Sequence, residues 1–512
     1  MLLLSAIGLC LTCAAQAQQK VQRLHLVEFA FRSDAPHENP FMLQASAAFV
    51  GPGDATMRVP AFYDGDGTWK VRFAPNVVGE WRFVIESEDA KLAGQTGSIT
   101  CVKNTDPNVH GRVRIDPHHP RHFVCDDGAR FFMLGFESDW IWALDTDDAA
   151  LPNLTRYVDA IGRHGFNMVI MNVYAHDCSW AKGKTSQWDY GPPPMYAWEG
   201  TNERPDHSRL NLAFWQHYDR VIELLARRGI VAHIMLRVYN KMVNWPQNGS
   251  AEDWMYYRTI VARYAAFNNI IWDFSKEAHN EPDLQYKLQV IRRLREWDAF
   301  RNLITVHDDT ANYDAGQHNL LDFRCDQQHS DWGEVIQRQR TQREWPVMNI
   351  EYGYEQGVDK LVTYPVIQDW QEVLRRTYEV ICAGGYATYY YSNCAWDILK
   401  WEPEPPGWPR YRILRDFFDR TRYWEMEPNA EVADAGWCLA LPGKQYVVFL
   451  DRGDAVTLKI EGAKAKLPAG WLDIRTGREY PTGKVGNGTT RFEKPKEIEG
   501  PGALYVGIAK PR

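Results

Sequence analysis

The 512-residue sequence predicts an α/β fold, a (β/α)8 TIM barrel flanked by N-terminal and C-terminal antiparallel β-sandwich domains. Three observations carry that expectation. Between Phe131 and Ser392, short apolar segments alternate with amphipathic helical segments, the grammar of repeated β-then-α units. Before this region, runs such as "MRVPAFYDGDGTWKVRFAP" and "GEWRFVIESE" alternate at period two between Asp-Gly and Pro-Asn turns. After Asn429 the same period returns in "GWCLALPG", "QYVVFLDRG", "AVTLKIEG" and "KLPAGWLDIRTGREY". A chain of this length exceeds what one core holds, so several domains are expected.

The first residues, "MLLLSAIGLCLTCAAQAQQ", are apolar and end in Ala15-Gln16-Ala17, a small-x-small cleavage pattern. Residues 1–17 therefore read as a signal peptide cut near Gln18, and the expected location is secreted or periplasmic. No later apolar run is long enough to span a bilayer. The N-terminal β-sandwich is expected over 20–105, the barrel over 106–428 and the C-terminal β-sandwich over 429–512.

Eight strands are expected in the barrel: 131–137, 166–174, 230–237, 269–277, 303–309, 323–329, 347–353 and 386–392. Helical periodicities such as "LTRYVDAIGRHG", "FWQHYDRVIELLARRG" and "DWQEVLRRTYEVICAGG" fall between them, several closing in Gly. The link after the fifth strand is short and helix-poor. A doubly wound open sheet would ordinarily carry a Gly-rich phosphate loop, and neither GxGxxG nor GxxxxGK[ST] follows any strand.

Composition narrows the partners. The formal net charge is −8 with no Lys/Arg run, which excludes a phosphate-tracking surface. Aromatic residues make up 13% of the chain and include 21 Trp, many beside polar residues, as in "SNCAWDILKWEPEPPGW". Such rings suit stacking on sugar faces, although ordinary core packing accounts for a share of them. Cys101, Cys125, Cys178, Cys325, Cys382, Cys394 and Cys438 show no CxxC and no regular spacing. No histidine cluster has metal-ligand spacing, and no cofactor is implied.

In a barrel of this kind the chemistry lies at the carboxyl ends of the strands. Reading those ends in order gives Glu137, Asp139 and Trp140; Asn172, Tyr174, His176 and Asp177; Arg237 and Asn240; Glu277; His307 and Asp308; His329; Glu351; and Trp396 with Asp397. With no activated Ser or Cys in sight, paired carboxylates remain, and these suit cleavage of a glycosidic bond. Glu277 ends the fourth strand and Glu351 the seventh, so they face each other across the mouth. That arrangement assigns Glu277 as general acid/base and Glu351 as nucleophile at the roughly 5–5.5 Å spacing of a retaining mechanism, whereas about 6.5–9.5 Å would imply inversion. Lys276 and His279 would tune Glu277, and Tyr352 would hold Glu351 ionised. Glu281, Glu355 and Asp308 compete for the two roles, and Asp273 should lie deeper.

The chain resembles the retaining barrel glycosidases whose acid/base Glu ends the fourth strand, usually after Asn, and whose nucleophile Glu ends the seventh. Lys276 stands where that Asn is expected. More narrowly, "FYDGDGTWKVRFAPNVVGEWRF" resembles the N-terminal sandwich that precedes apiosidase-like barrels. "GRVRIDPHHPRHFVCDDGARFFMLGFESDW" resembles their lead-in and first strand, and "YVVFLDRGDAVTLKI" their collagen-binding-type C-terminal sandwich. The resemblance implies a glycoside hydrolase acting on plant or algal polysaccharides or oligosaccharides. The departure at Lys276 keeps open a different class, a non-catalytic carbohydrate- or matrix-binding protein on a decayed barrel.

Overall fold

The computed structural model describes residues 19–179, 184–309, 312–313, 317–361 and 366–509, so the expected signal peptide lies outside the described residues. At the N-terminus, Val27–Arg32 buries Val27, Phe29 and Phe31 and exposes the residues between, because a strand turns alternate side chains to opposite faces. It pairs with Thr68–Phe73, which pairs in turn with Phe62–Tyr63. A second sheet runs in the order Gln19–Gln22, Thr96–Val102, Gly79–Ser87, Ala45–Val50, Thr56–Pro60. The two sheets meet through Phe49 stacked on Phe73 at 3.9 Å and Phe29 against Phe83 at 4.8 Å. One pairing departs from the antiparallel expectation: Gln19–Gln22 runs parallel to Thr96–Val102.

The central sheet has eight parallel strands: β1 Leu134–Glu137, β2 Met168–Asn172, β3 Val231–Val238, β4 Ile270–Lys276, β5 Leu303–Thr305, β6 Arg324–Gln327, β7 Val347–Glu351 and β8 Tyr386–Tyr391. Their order is β5-β4-β3-β2-β1-β8-β7-β6, with the short strands Tyr354–Glu355 and Ile367–Gln368 added beside β8. The two terminal strands approach each other. His307 and Cys325 form an isolated parallel bridge, the Asp308 N–H donates to the Cys325 carbonyl at 3.2 Å, and the Asp322 N–H donates to the Ile304 carbonyl at 2.9 Å.

A side-chain contact shows how far the sheet curls. Lys276 at the end of β4 touches Glu137 of β1 and Tyr390 of β8, which lie three and four places away in the sheet order. Laid flat, at about 4.8 Å per strand, those places would be roughly 14 and 19 Å distant. The contact therefore runs across the concave side of a strongly curled sheet.

The helices Pro152–Arg163, Leu212–Arg227, Ala251–Tyr264, Leu284–Trp297, Trp332–Gln342, Trp370–Cys382 and Trp408–Phe418 follow β1, β2, β3, β4, β6, β7 and β8. Several begin on a capping side chain that accepts an otherwise orphaned N–H: Asn211 from Ala213, Ser250 from Asp253, Asp283 from Tyr286 and Asp369 from Glu372. After β5 the described residues include helical positions 312–313 and the short 3-10 segment Gln317–Leu320. An unforeseen hairpin, Trp198–Thr201 with Arg204–Leu210, lies between β2 and its helix. Its period-two signal is weak because most of its side chains are exposed on both faces.

At the C-terminus one sheet runs Glu427–Pro428, Trp437–Leu441, Gln445–Leu450, Gly502–Val506, Leu467–Asp473, Glu479–Val485. Ala455–Ile460 and Gly488–Glu493 pair separately, and the two sheets share a core that includes Val448, Val456, Leu458, Trp471 and Leu504. Tyr378 of the helix after β7 stacks on Phe449 at 5.5 Å, which attaches this unit to the central one.

The N-terminal unit is tied down by charge. The Arg72 guanidinium donates to Asp219 at 2.7 Å and to the Arg263 carbonyl at 2.7 Å, while Arg263 donates to Asp219 at 3.1 Å and to Asp64 at 2.8 Å. Both guanidiniums are buried and hold the Asp219 carboxyl far below its ordinary range against the opposing effect of burial. Asp219→Ala should therefore lower stability by about 3 kcal/mol, since it removes the carboxylate shared by two buried cations and leaves Arg72 to Glu28 and Arg263 to Asp64. A urea midpoint unchanged from wild type would contradict this account.

Candidate active site

Every residue of β2, β3, β4 and β7 is buried, so polarity concentrates where these strands end. Glu277 follows β4 with φ 55° and ψ 43°, a left-handed conformation that swings its side chain away from the strand direction. Asp308 after β5 and Trp396 after β8 take the same region, at φ 54° and 56°.

Glu277 and Glu351 both border one residue, Gln327, the first through its side chain and the second through backbone register. Gln327 stands opposite Glu351 in the β6–β7 register, and its Nε2 donates to Glu277 Oε1 at 3.2 Å. Its Oε1 lies 3.1 Å from His307 Nε2, so the amide is held from both ends. Glu351 is buried and accepts a hydrogen bond from Tyr354 Oη at 2.5 Å, with exposed His329 4.0 Å away. Burial pushes the Glu351 carboxyl up, while Lys276, Tyr354 and His329 oppose that push. Among the described residues neither carboxylate is ion-paired to Lys or Arg.

The expected partner Tyr352 points elsewhere: its hydroxyl lies 2.8 Å from Thr377 Oγ1 on the helix after β7. Adjacent residues on an extended chain face opposite sides, and Tyr352 took the outer one. Tyr354 supplies the contact instead.

Lys276 also departs from strict alternation. Asp273 lies inside, 2.7 Å from His233 of β3, and three residues on Lys276 should face out. The strand keeps its register with β3 through Lys276, so the departure arises in the lysine side chain at the strand's last residue, while the Ser275 N–H donates to Asp273 Oδ1 at 3.1 Å. Lys276 Nζ then reaches Glu137, Asp139 at 3.2 Å and Tyr390 Oη at 3.2 Å, fully buried. Burial alone would lower the ammonium pKa, but Asp139, Glu137 and Glu351 together hold it well above the usual lysine range. Burial raises the Glu137 carboxyl, and its Oε2 has no hydrogen-bond partner among the described residues. Lys276 thus serves the floor of the site rather than Glu277 directly.

His279 does face Glu277. Its Nε2 lies 3.3 Å from Glu277 Oε2 and its Nδ1 3.3 Å from Asp308 Oδ2, so one imidazole spans the ends of β4 and β5. Donor atoms of Glu277, His279 and Asp308 all lie within 4.8 Å of one another, a spacing that the sequence did not suggest. Burial raises Asp308 to about 7, with Glu277 and Asp326 adding to the rise and His279 opposing it.

The other expected site residues separate into two groups. At the mouth, Tyr174 Oη bonds His176 Nδ1 at 2.9 Å, and His176 faces Glu203 at 3.6 Å. Asn240 accepts from Lys241 at 2.9 Å, Asp177 accepts the Cys178 N–H at 2.7 Å, and Trp396 sits edge-on to Tyr354 at 6.0 Å. Asp397 is buried with Oδ2 unpartnered among the described residues, and burial, with Asp189 and Asp177 nearby, raises it to about 6. Three residues lie elsewhere than the rim expectation placed them. Arg237 points to the helical layer, where it donates to Asp253 at 2.6 Å and packs on Trp245, Tyr257 and Tyr286. Trp140 is wholly buried, so its faces are closed to a ligand. Asn172 is buried too, and accepts from Trp142 Nε1 at 2.8 Å.

The competing acids are committed. Glu281 accepts from Asn248 at 2.8 Å, and Glu355 accepts from Tyr389 at 2.7 Å and from the Gly407 N–H at 2.8 Å behind the sheet. Sequence reasoning missed Gln327, Tyr354 and Tyr390. Gln327 lies inside an expected strand end, "FRCDQQH", where the sequence does not distinguish it from its neighbours Gln328 and His329.

Comparison with known proteins agrees with this architecture. The family described as "Apiosidase-like, catalytic domain" matches residues 117–449, and "Domain of unknown function (DUF5060)" matches residues 20–88. A crystal structure from Bacteroides vulgatus assigned to the glycoside hydrolases superposes with a TM-score of 0.76 at 21% identity, covering 96% of this chain and 100% of that one. A glycoside hydrolase family 5 structure from the same organism gives a TM-score of 0.61 at 19% identity, covering 79% of this chain and 94% of that one. Among curated proteins nothing matches.

The raised Asp308 carboxyl has a consequence for stability. The folded protein keeps that proton up to about pH 7, whereas the unfolded chain loses it near 3.8, so the folded state binds more protons in between. Stability from this group therefore falls as pH rises through that window. Asp308→Asn removes the effect, and its stability relative to wild type should rise between pH 4 and 7 in denaturant titrations. A constant difference across that range would count against it.

Proposed function

The chain belongs to the apiosidase-like family of catalytic domains, and from that premise we propose that it is an exported glycoside hydrolase of (β/α)8 barrel type acting on plant or algal polysaccharides or oligosaccharides. The reading rests above all on one observation: Glu277 and Glu351, from β4 and β7, flank the same residue, Gln327. Two carboxylates at one mouth, neither consumed by a strong cation, are what acid-assisted displacement at an anomeric carbon needs.

In this proposal Glu277 protonates the leaving oxygen and Glu351 attacks the anomeric carbon. Water, deprotonated by Glu277, then releases the sugar with net retention. Burial raises the Glu351 carboxyl, and nearby groups act against that rise. Tyr354 and the Lys276 ammonium stabilise the Glu351 anion, and Glu277 stands nearer solvent beside His279, through which it can regain a proton. Export is supported by the apolar opening and its Ala15-Gln16-Ala17 pattern.

A panel of aryl glycosides and plant or algal polysaccharides tests the assignment. Glu277→Gln should lower kcat by about 10²–10⁴-fold, most for poor leaving groups, and Glu351→Gln should abolish turnover. Undiminished hydrolysis by both variants would end the assignment. NMR of the first-formed anomer separates retention from inversion. Tyr354→Phe removes a hydrogen bond that favours the Glu351 anion, so the acidic limb of its kcat/KM profile should move to higher pH. An unmoved limb would exclude Tyr354 from that role.

A further inference from the structure

One sizeable cavity among the described residues lies apart from the strand ends, at the seam between the N-terminal sheets and the helices after β3 and β4. It measures 920 Å³, within the size range of ligand sites. One wall comes from Ala45–Val50, Thr56–Pro60 and Gly79–Ser87, and the other from Ala251–Tyr264 and Leu284–Trp297. None of its lining residues takes part in the carboxylate site.

Two features indicate what the groove accepts. Trp254 and Trp297, one from each helix, meet edge to face at 6.4 Å, so both contribute indole surface to one wall. Both are only partly buried, and the exposed Arg293 guanidinium lies 5.9 Å from each ring. The charges are balanced: Arg58, Arg258 and Arg293 face Glu86, Glu88 and Glu296 along the lining. Arg58 pairs with Glu86 at 2.8 Å and Arg293 with Glu296 at 3.1 Å, both solvent-exposed. Exposed pairs of this kind contribute about 0–1 kcal/mol, so ligand hydroxyls can replace them at little cost.

A balanced lining disfavours a polyanion, which would need net positive charge, and a metal cation, which would need net negative charge. Indole faces beside a dense set of donors and acceptors match a neutral polyhydroxylated ring. The seam is also held at a fixed width: the Arg258 guanidinium donates to the Phe41 carbonyl at 3.1 Å, clamping the N-terminal unit to the helix that carries Trp254.

We propose that this groove is a second, non-catalytic binding site for a neutral glycan chain, and that the N-terminal sheets are present partly to form its outer wall. The site retains polymer on the protein and takes no part in bond cleavage. It does not require Glu277 or Glu351 to act as assigned.

The test uses the full chain carrying Glu277→Gln, so that turnover does not blur binding, in native affinity gels containing xyloglucan, galactomannan, arabinoxylan or laminarin. At least one of these polymers should retard the protein. Trp254→Ala with Trp297→Ala should weaken that retardation at least about tenfold, and Arg293→Ala, which leaves the indoles in place, should alter it less. In the wild-type background the same double substitution should leave kcat and KM on any small aryl glycoside that is turned over within about twofold. Retardation by none of the polymers, or retardation indifferent to both tryptophans, overturns the proposal. If all polymers retard the protein only through residues of the strand-end site, shown by loss on Trp396→Ala, it is equally overturned. Binding with no hydrolysis by wild type would remove the catalytic reading and leave this one standing.

Discussion

A single buried ammonium organises the interior of this protein. Lys276 leaves the end of β4 and crosses the concave side of the sheet to Glu137, Asp139 and Tyr390. An unpaired charge at that depth would be prohibitive, and so would the three carboxylates Glu137, Asp139 and Glu351 without a cation. Each side makes the other tolerable. The curl of the sheet, the choice of Tyr at β8 and the acidity of the β1 end are therefore parts of one arrangement. It also fixes the electrostatic floor on which Glu351 stands, because Lys276 opposes the rise that burial imposes on that carboxyl.

Above this floor the site is assembled from contacts between neighbouring strand ends. Gln327 links β4 to β6 and β7, and His279 links β4 to β5. These bridges cross the place where the sheet is most weakly joined, since β5 and β6 share an isolated bridge and not a full ladder. Side chains there do work that backbone hydrogen bonds do elsewhere in the sheet. The acid/base candidate thus sits beside the seam, while the nucleophile candidate sits on the well-paired β7 side.

Much of the fold was legible because burial writes itself into sequence. All eight expected segments overlap the observed strands of the central sheet, seven enclosing them and the third stopping one residue short of Val238, since strands enclosed on both faces must be nearly continuous apolar runs. Glu351 was readable as the first charge of its run and Glu277 as the carboxylate that closes the β4 run after Lys276. What escaped depended on direction and not on composition. Arg237 ends an apolar strand as a ligand-binding residue would, yet Asp253 and three aromatic rings draw it outward. Tyr352 and Tyr354 are indistinguishable by type and differ only in which side of the chain they occupy. The inward turn of Lys276 goes against the strand's alternation and follows its acidic partners Glu137 and Asp139, which no periodicity encodes.

Glu277, Asp308 and Trp396 share left-handed backbone angles at the mouth. For residues other than glycine and asparagine such a conformation costs of order 1 kcal/mol or more each. The protein therefore holds stored conformational energy where three chain segments turn out of the sheet, and it spends stability to aim side chains that a relaxed backbone would point elsewhere. Asparagine or glycine would adopt these angles more easily, so the two carboxylates and the indole mark a place where aim has outweighed comfort.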